Sequence, residues 1–263
     1  MIKPKQLQKG DSIAIIRPAS ALAEGSYRTA QKILREIGFC VVEYPRKKTK
    51  DSFFSASDRD RALELDWAMS EPGIRAVLVG RGGYGSQRTL SMVPKTWQSR
   101  WKSKLILGYS DITYLHQWVQ NQMKLVSVHG SLVGSLNKKA MTTLTRHLLE
   151  LPTRPTSQTW SEISNIGSSK KARGKLVGGN LSLLQVAGSA ALPKEPLILA
   201  IEDVNENFYR IDRMLWTLID AGYGKYIRGI LLGTLAGCGQ MDSKTFKLSR
   251  IYETLKKLTS GPI

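Results

Sequence analysis

Ser110 stands where an apolar segment gives way to an amphipathic one, in the stretch LILGYSDITYLHQWV at residues 105–119. A serine at a sharp turn from strand to helix has its Oγ exposed above the helix N-terminus, which is the geometry of a nucleophile elbow. The stretch lacks the second glycine of the G-x-S-x-G pattern, and a serine is also a good N-cap for a helix over 112–121. Taken alone, these residues leave acyl transfer and helix capping both open.

A second candidate is the glycine-dense loop GRGGYGSQRTL at residues 80–90, directly after an apolar run. It has neither the G-x-G-x-x-G order of dinucleotide sites nor the G-K-[ST] ending of P-loops. Because Gly82, Gly83 and Gly85 lack a Cβ, their backbone N–H groups could approach a developing negative charge. A tight turn after a strand explains the same glycines equally well.

Two polar residues in the second half of the chain follow the same logic. Glu202 comes after the apolar run LILAI, where a carboxylate can serve in catalysis or cap the next helix. Asn180 ends the stretch GGN, for which a turn formed by residues 178–180 is an alternative.

The surrounding pattern predicts an α/β fold with an open, mostly parallel sheet. Apolar runs at 12–20, 39–44 and 74–80 alternate with amphipathic stretches, and parallel strands need such crossovers. Gly38 is expected to end the first helix, and Ser57, with Asp60 three residues on, to begin the second. Ligands of such a sheet bind at the carboxyl ends of its strands, where the loops bearing Ser110 and the glycines are placed.

Composition narrows the class of protein. The 263 residues are 41% hydrophobic, enough for one large domain or two modest ones, and no window reaches the roughly 18 apolar residues of a membrane span. The net charge of +18 is spread over short clusters, which favours a solvated basic surface over a nucleic-acid partner, although a polyanion-attracting surface stays open. Cys40 and Cys238 are expected to be packing residues. No metal or cofactor is predicted.

Five segments together carry a family resemblance. RGGYGSQRTL, KLILGYSDITYLHQWV, VHGSLVGSL, GKLVGGNLSLLQVAGS and LILAIEDVNENFYRIDRMLWTLIDAG, in this order, resemble the LD-carboxypeptidase family of serine peptidases, the muramoyl-tetrapeptide carboxypeptidases. The resemblance implies a flavodoxin-like N-terminal domain with a mostly parallel sheet and a smaller C-terminal swivelling β/β/α domain. The corresponding boundaries are 1–150 for the first domain, 151–174 for a Pro- and Ser/Thr-containing linker, and 175–263 for the second.

The family uses a Ser-His-Glu triad, and two members match here. Ser110 matches the nucleophile and Glu202 the carboxylate that orients the histidine. The resemblance places the oxyanion hole at the backbone N–H groups of Gly83 and Asp111. The residues expected to bind substrate are Gly82, Tyr84, His129 and Asn180. The implied reaction releases the terminal D-alanine of murein tetrapeptides in cell-wall recycling, in the cytoplasm and by a homodimer.

The sequence departs from the family at the third member of the triad. The family histidine follows a further strand near the C-terminus, whereas this sequence stops at LTSGPI and has only His116, His129 and His147, none at that position. The C-terminal domain is therefore expected to be truncated and activity impaired. The alternatives are a catalytically inactive homologue or fragment that binds murein peptides, and a peptide-nucleotide antibiotic hydrolase of the same family.

Overall fold

A five-stranded parallel sheet organises the N-terminal half of the chain. The structure is a computed structural model that describes residues 1–45, 53–135, 148, 164–166, 171–186 and 192–263. Packing of the Cα atoms divides the chain into two compact units, Met1–Thr156 and Ser157–Ile263. Most of the predicted linker 151–174 lies outside the described residues. The elements of the first unit are β1 Ser12–Ile16, α1 Glu24–Ile37, β2 Cys40–Val42, α2 Asp58–Ser70, β3 Ile74–Val79, α3 Ser86–Ser91, α4 Lys95–Gln98, β4 Leu105–Gly108, α5 Thr113–Met123 and β5 Val128–His129.

The strands of this sheet are ordered β2-β1-β3-β4-β5 and every pairing is parallel. This is the flavodoxin-like order, in which the chain reverses direction across the sheet between β1 and β3. The predicted flavodoxin-like α/β fold is confirmed. The loops that follow β1 and β3 flank this switch point, and they carry Ser20 and the Gly82–Gly83 pair.

The sheet is apolar on both faces, as expected for a parallel sheet covered by helices on both sides. Along β1, Ala14 and Ile16 pack into a core with α2 and α5, whereas Ile13 and Ile15 pack into a second core with α1. The alternation follows from the two-residue period of a strand. Pairing with β2 on one side and β3 on the other holds β1 in place, and the turn that follows it lies at the carboxyl edge of the sheet.

Helix ends agree with their local sequence signals. Gly38 is the left-handed C-cap of α1, with a φ of 106°, and its N–H donates to the carbonyl of Arg35. Ser57 is the N-cap of α2 and its side chain accepts from the Asp60 amide. Both predictions are confirmed, because each depends only on neighbours in the chain.

The second unit contains a smaller parallel sheet in the order β6-β7-β8. Its elements are β6 Lys175–Asn180, α6 Leu181–Val186, β7 Leu197–Val204, α7 Phe208–Asp220, β8 Ile227–Ala236 and α8 Leu248–Leu258. One stripe of α7 is buried, as its spacing predicts, and packs in a core with α8 and the strands. The residues of that stripe are Ile211, Met214, Leu215 and Leu218.

Two further features bear on the sequence expectations. Cys40 is exposed, so its prediction as a packing residue is wrong; β2 lies at the edge of the sheet, where its side chains are only partly covered. Cys238 is half-buried and its Sγ accepts from the Glu206 amide. In the part of the chain that the structure describes, no helix is long and apolar enough to cross a membrane.

Candidate active site

Ser110 lies on a strained elbow directly after β4. It has a φ of 64°, one of only three positive values at non-glycine residues in the described chain, and it opens a 3-10 turn, Ser110–Ile112, that runs into α5. Such a conformation costs about 1–3 kcal/mol at a non-glycine residue and is concentrated at functional sites. The half-buried Ser110 hydroxyl makes no hydrogen bond within the described residues. The helix-cap interpretation is wrong, because the N-caps of these two turns are Tyr109 and Ile112.

The glycine loop packs against this elbow. A Cβ built on Gly82 would lie 3.1 Å from the Ser110 Cβ, 3.2 Å from its Oγ and 3.4 Å from the Asp111 amide nitrogen. A side chain at position 82 would therefore fill the space beside the hydroxyl. Gly83 follows with a φ of 90°, in the left-handed region that glycine adopts without strain. Tyr84 is 47% exposed, with its ring 5.8 Å from that of Phe54.

The side chain of Asp111 joins the loop to the elbow. Its buried carboxylate accepts the Ser86 N–H at 2.8 Å, and the Ser86 hydroxyl donates to the Asp111 carbonyl at 2.7 Å. Burial raises the pKa of the carboxyl, while hydrogen bonds from Ser86 and Gly85 and the charge of Arg61 oppose that rise. The amide N–H groups of Gly83 and Asp111 donate no hydrogen bond within the described residues.

Arg61 donates a hydrogen bond to the glycine loop, and the sequence patterns did not predict this role. Its side chain is fully buried, and it donates to the Pro18 carbonyl at 3.0 Å and to the Gly85 carbonyl at 3.4 Å. It also pairs with Asp58 and lies 4.6 Å from the centre of the Phe54 ring. The available signal was an arginine four residues before Leu65 on the buried stripe of α2, where a charge needs partners.

The two described histidines both lie next to Gly108, the last residue of β4. His116 is buried, with Nε2 at 2.8 Å from the Gly108 carbonyl oxygen; because a carbonyl only accepts, this nitrogen carries the proton. Burial lowers the pKa of His116 to about 4. His129 ends β5 in register with Gly108, is exposed, and stands 6.1 Å from the Tyr109 ring; nearby protein atoms remove part of its hydration and lower its pKa. His147 lies outside the described residues.

In the second unit, β6 and β7 bring Asn180 and Glu202 into register as Cα partners. Residues 178–180 are strand residues, so the predicted turn is wrong; their pairing with β7 holds them extended. Burial and the neighbouring charge of Asp203 raise the pKa of Glu202, and a hydrogen bond from Asn180 opposes this. The Glu202 Oε1 atom is buried with no hydrogen-bond partner in the described structure. Gly233 on β8 leaves the other side of Glu202 uncrowded, since its Cβ would lie 3.4 Å from that of Glu202.

Asp203 fastens this second cluster, and it too was missed in the sequence. Its buried carboxylate accepts the Asn180 amide at 3.1 Å and both the N–H and the hydroxyl of Ser182, at 2.9 Å and 2.7 Å. Each unit therefore assembles its own part of the predicted set. The first brings Gly82 against Ser110 and Asp111, and the second pairs Asn180 with Glu202. Among the described residues no group of three or more metal-binding side chains occurs.

Comparisons with known proteins match both units to one family. Residues 13–130 match the LD-carboxypeptidase N-terminal domain and residues 173–263 match the LD-carboxypeptidase C-terminal domain. The chain is 31% identical over 258 residues to the probable murein peptide carboxypeptidase of Bacillus subtilis strain 168, covering 95% of this chain and 81% of that protein.

Two solved structures are also similar. The muramoyltetrapeptide carboxypeptidase of Oxalobacter formigenes superposes with a TM-score of 0.80 at 27% identity, covering 95% of this chain and 86% of that one. An MccF-like protein of Bacillus anthracis superposes with a TM-score of 0.83 at 25% identity, covering 100% and 89%. On the strength of both domain matches, which span more than half of its residues, this chain belongs to the LD-carboxypeptidase family.

Proposed function

We propose that this chain is a serine-type carboxypeptidase that removes the terminal D-alanine of murein tetrapeptides in cell-wall recycling. The observation that carries the proposal is Ser110, held at a φ of 64° at the end of β4 with its hydroxyl unbonded within the described residues. Strained conformations of this kind are concentrated at functional sites. The names of the similar Bacillus and Oxalobacter proteins support the substrate class.

In the proposed reaction, the Ser110 Oγ attacks the carbonyl carbon of the L,D amide bond and loses its proton to a general base. The carbonyl oxygen becomes an oxyanion, which accepts hydrogen bonds from the N–H groups of Gly83 and Asp111, each worth about 3 kcal/mol in the transition state. The base returns the proton to the leaving amine of D-alanine, and water then hydrolyses the acyl-enzyme ester. Glu202 matches the family carboxylate that orients this base. Gly82, Tyr84, His129 and Asn180 contact the peptide.

Among residues 1–263, no histidine matches the position of the family's general base. The Nε2–H of His116 donates to the Gly108 carbonyl. His129 matches a family position other than that of the base. We therefore expect a protein of residues 1–263 to turn over slowly. Free imidazole should accelerate it in proportion to imidazole concentration, because the added base can take the Ser110 proton.

The test is release of D-alanine from a murein tetrapeptide, measured by a coupled oxidase assay with and without imidazole. Ser110→Ala should abolish release under both conditions. Ser91→Ala is the matched control, since Ser91 is exposed and its hydroxyl donates only to the Arg88 carbonyl on α3. Full release by Ser110→Ala would show that Ser110 is not the nucleophile. Family-like rates without imidazole would show that the chain holds a base of its own.

A second candidate is hydrolysis of a peptide-nucleotide antibiotic. It is favoured by the likeness to the MccF-like protein. Competition between a tetrapeptide and an aminoacyl-sulfamoyl nucleoside, each followed by product release, separates the two. Calorimetric binding of tetrapeptide with no product, even with imidazole, would instead identify a catalytically inactive murein-peptide-binding protein.

We further propose that the protein acts in the cytoplasm as a homodimer. Light scattering at several protein concentrations tests the dimer: a mass near 29.3 kDa throughout would exclude it. Cell fractionation with an antibody against the chain tests the compartment, and recovery in the periplasm would exclude the cytoplasm.

A further inference from the structure

The polar turn that follows β1 has no part in the proposed chemistry, yet it touches the glycine loop at two points. Ser20 is 5% exposed. Its backbone N–H donates to the Gly82 carbonyl at 3.2 Å, and its Oγ accepts the Tyr84 N–H at 3.2 Å. The two hydrogen bonds fall on either side of the Gly83 amide.

The planar geometry of the peptide group means that these bonds fix the direction of the Gly83 N–H. In a planar trans peptide the C=O and the following N–H point in opposite directions. Because the Gly82 carbonyl is directed at the Ser20 N–H, the Gly83 N–H is directed away from the turn. The bond from Tyr84 to the Ser20 Oγ then fixes the next peptide, so Gly83 is held on both sides.

Close packing leaves this arrangement little freedom. A Cβ on Gly83 would lie 2.9 Å from the Ser20 Cβ and closer still to its Oγ, so the loop backbone rests directly on the serine. Ser20 is itself fixed from the other side, since Ala21 donates to the Phe53 carbonyl at 2.8 Å and Ser55 donates to the Ala19 carbonyl at 3.2 Å. The turn that carries Ser20 is thus held in place by backbone hydrogen bonds to residues 53–55.

We propose that Ser20 is a positioning residue for the reaction: its hydroxyl, through Tyr84, holds the Gly83 N–H in the direction required of an oxyanion donor. The inference rests on the proposed function, in which Gly83 supplies that donor. Ser20 touches neither the substrate nor Ser110 in this scheme. Its effect falls on the transition state and leaves ground-state binding of the peptide unchanged.

The test compares Ser20→Ala with Thr89→Val. Thr89 is fully buried on α3 and its hydroxyl donates to the Pro18 carbonyl at 2.6 Å, in the same turn as Ser20 but without a bond to Gly82, Gly83 or Tyr84. Both variants lose one buried hydroxyl, so they control for a general loss of stability. The 263-residue chain is used throughout, with imidazole present in the assays.

Two measurements are made on each variant. The first is amide hydrogen exchange at Tyr84, followed by NMR, which needs no turnover. It should accelerate about 10-fold in Ser20→Ala and stay at the parent rate in Thr89→Val, since one neutral hydrogen bond is worth about that factor. The second is D-alanine release, in which Ser20→Ala should lower kcat about 10-fold with KM unchanged, while Thr89→Val keeps the parent kcat.

The two failures are distinguishable. If the parent releases no D-alanine even with imidazole, the proposed function fails, and exchange at Tyr84 alone decides whether Ser20 holds the loop. Unchanged exchange at Tyr84 in Ser20→Ala overturns the inference in either case. With an active parent, a kcat in Ser20→Ala equal to that of Thr89→Val, or a change confined to KM, also overturns it.

Discussion

Glu202 and Asp203 are neighbours in the chain with opposite surroundings. The Asp203 carboxylate accepts hydrogen bonds from Asn180 and Ser182, so its oxygens are well bonded. Glu202 also receives a hydrogen bond from Asn180, but burial and the charge of Asp203 raise its pKa, and its Oε1 has no hydrogen-bond partner in the described structure. A carboxylate kept at such a cost is typical of a functional site.

Glu202→Gln should therefore stabilise the protein while it removes the carboxylate that catalysis needs. The pKa of Glu202 is raised in the folded state, so its charge opposes folding at pH 7 and ceases to do so below its ordinary value of 4.5. We expect a gain in the free energy of unfolding of up to about 1 kcal/mol at pH 7 that vanishes near pH 4. Urea unfolding at both pH values measures it.

Asp203→Asn is the control for this prediction. It disturbs a carboxylate that accepts three hydrogen bonds from Asn180 and Ser182, and it should lower stability at pH 7. A loss of stability in Glu202→Gln comparable to that in Asp203→Asn would mean that Glu202 is an ordinary structural carboxylate.

His116 gives the first unit a dependence on acid. Burial lowers the pKa of His116 to about 4 from 6.5, so the unfolded chain binds its proton first as the pH falls. The contribution of neutral His116 to the free energy of unfolding is complete above pH 6.5. It is lost between pH 6.5 and 4, by up to ~3 kcal/mol. His116→Gln, which can still donate to the Gly108 carbonyl, should flatten this part of the curve. Parallel pH profiles for parent and variant would contradict the assignment.

At the scale of elements, the site is the meeting of three turns at the carboxyl ends of β1, β3 and β4. Buried hydrogen-bonding groups join these turns: Arg61 links the turn after β1 to Gly85, and Asp111 links the turn after β4 to Ser86. The strained Ser110 backbone is thereby held by contacts from elements far apart in the sequence. Such over-determination is what allows a positive φ to persist at a residue with a Cβ.

Gly83→Ala should disturb this junction, whereas Gly25→Ala should not. At Gly83 the φ is 90° and a Cβ would meet Ser20, so we expect a loss of about 1–3 kcal/mol in the free energy of unfolding, with loss of activity. Gly25 lies in α1 with nothing within 4 Å of its Cβ position. Alanine there should add up to about 1 kcal/mol. Thermal unfolding of both variants measures the effect; equal shifts would show that the glycine loop tolerates a side chain.

At the scale of the whole molecule, the net charge of +18 sets the long-range field. Part of the positive charge is paired locally, as in Arg17 with Glu64, Arg100 with Asp66 and Lys175 with Glu195. The basic cluster at 46–50 lies outside the described residues. In the sequence the cations fall in short clusters with no long tract, which favours a solvated basic surface.

The protein should consequently bind polyanions only weakly. We expect elution from a double-stranded DNA column at or below roughly 0.15 M salt, because dispersed cations displace few counterions. Elution well above this salt concentration, with a steep dependence on salt, would instead identify a dedicated polyanion-binding surface. Substitutions that reverse the net charge of the surface would then separate polyanion binding from the proposed activity, if tetrapeptide hydrolysis is measured on the same variants.

The sequence by itself determined the elements and the family. The two-residue and helical periods predicted β1, β3, α1 and the buried stripe of α7, and local caps at Gly38 and Ser57 marked helix ends, because all of these depend on neighbours in the chain. The five ordered segments were enough to identify Ser110 and Glu202 as residues that match the family's nucleophile and carboxylate.

Only the tertiary structure decided what surrounds those residues. Ser110 fits a cap or an elbow equally well in sequence, and its φ of 64° and its contact with Gly82 favour the elbow. Likewise, Asp111 reaches Ser86 across 25 residues, and Asp242 caps α7 through the Phe208 amide across 34. Such contacts join residues whose separation carries no periodic signal; they exist because the sheet brings the ends of distant strands to one edge.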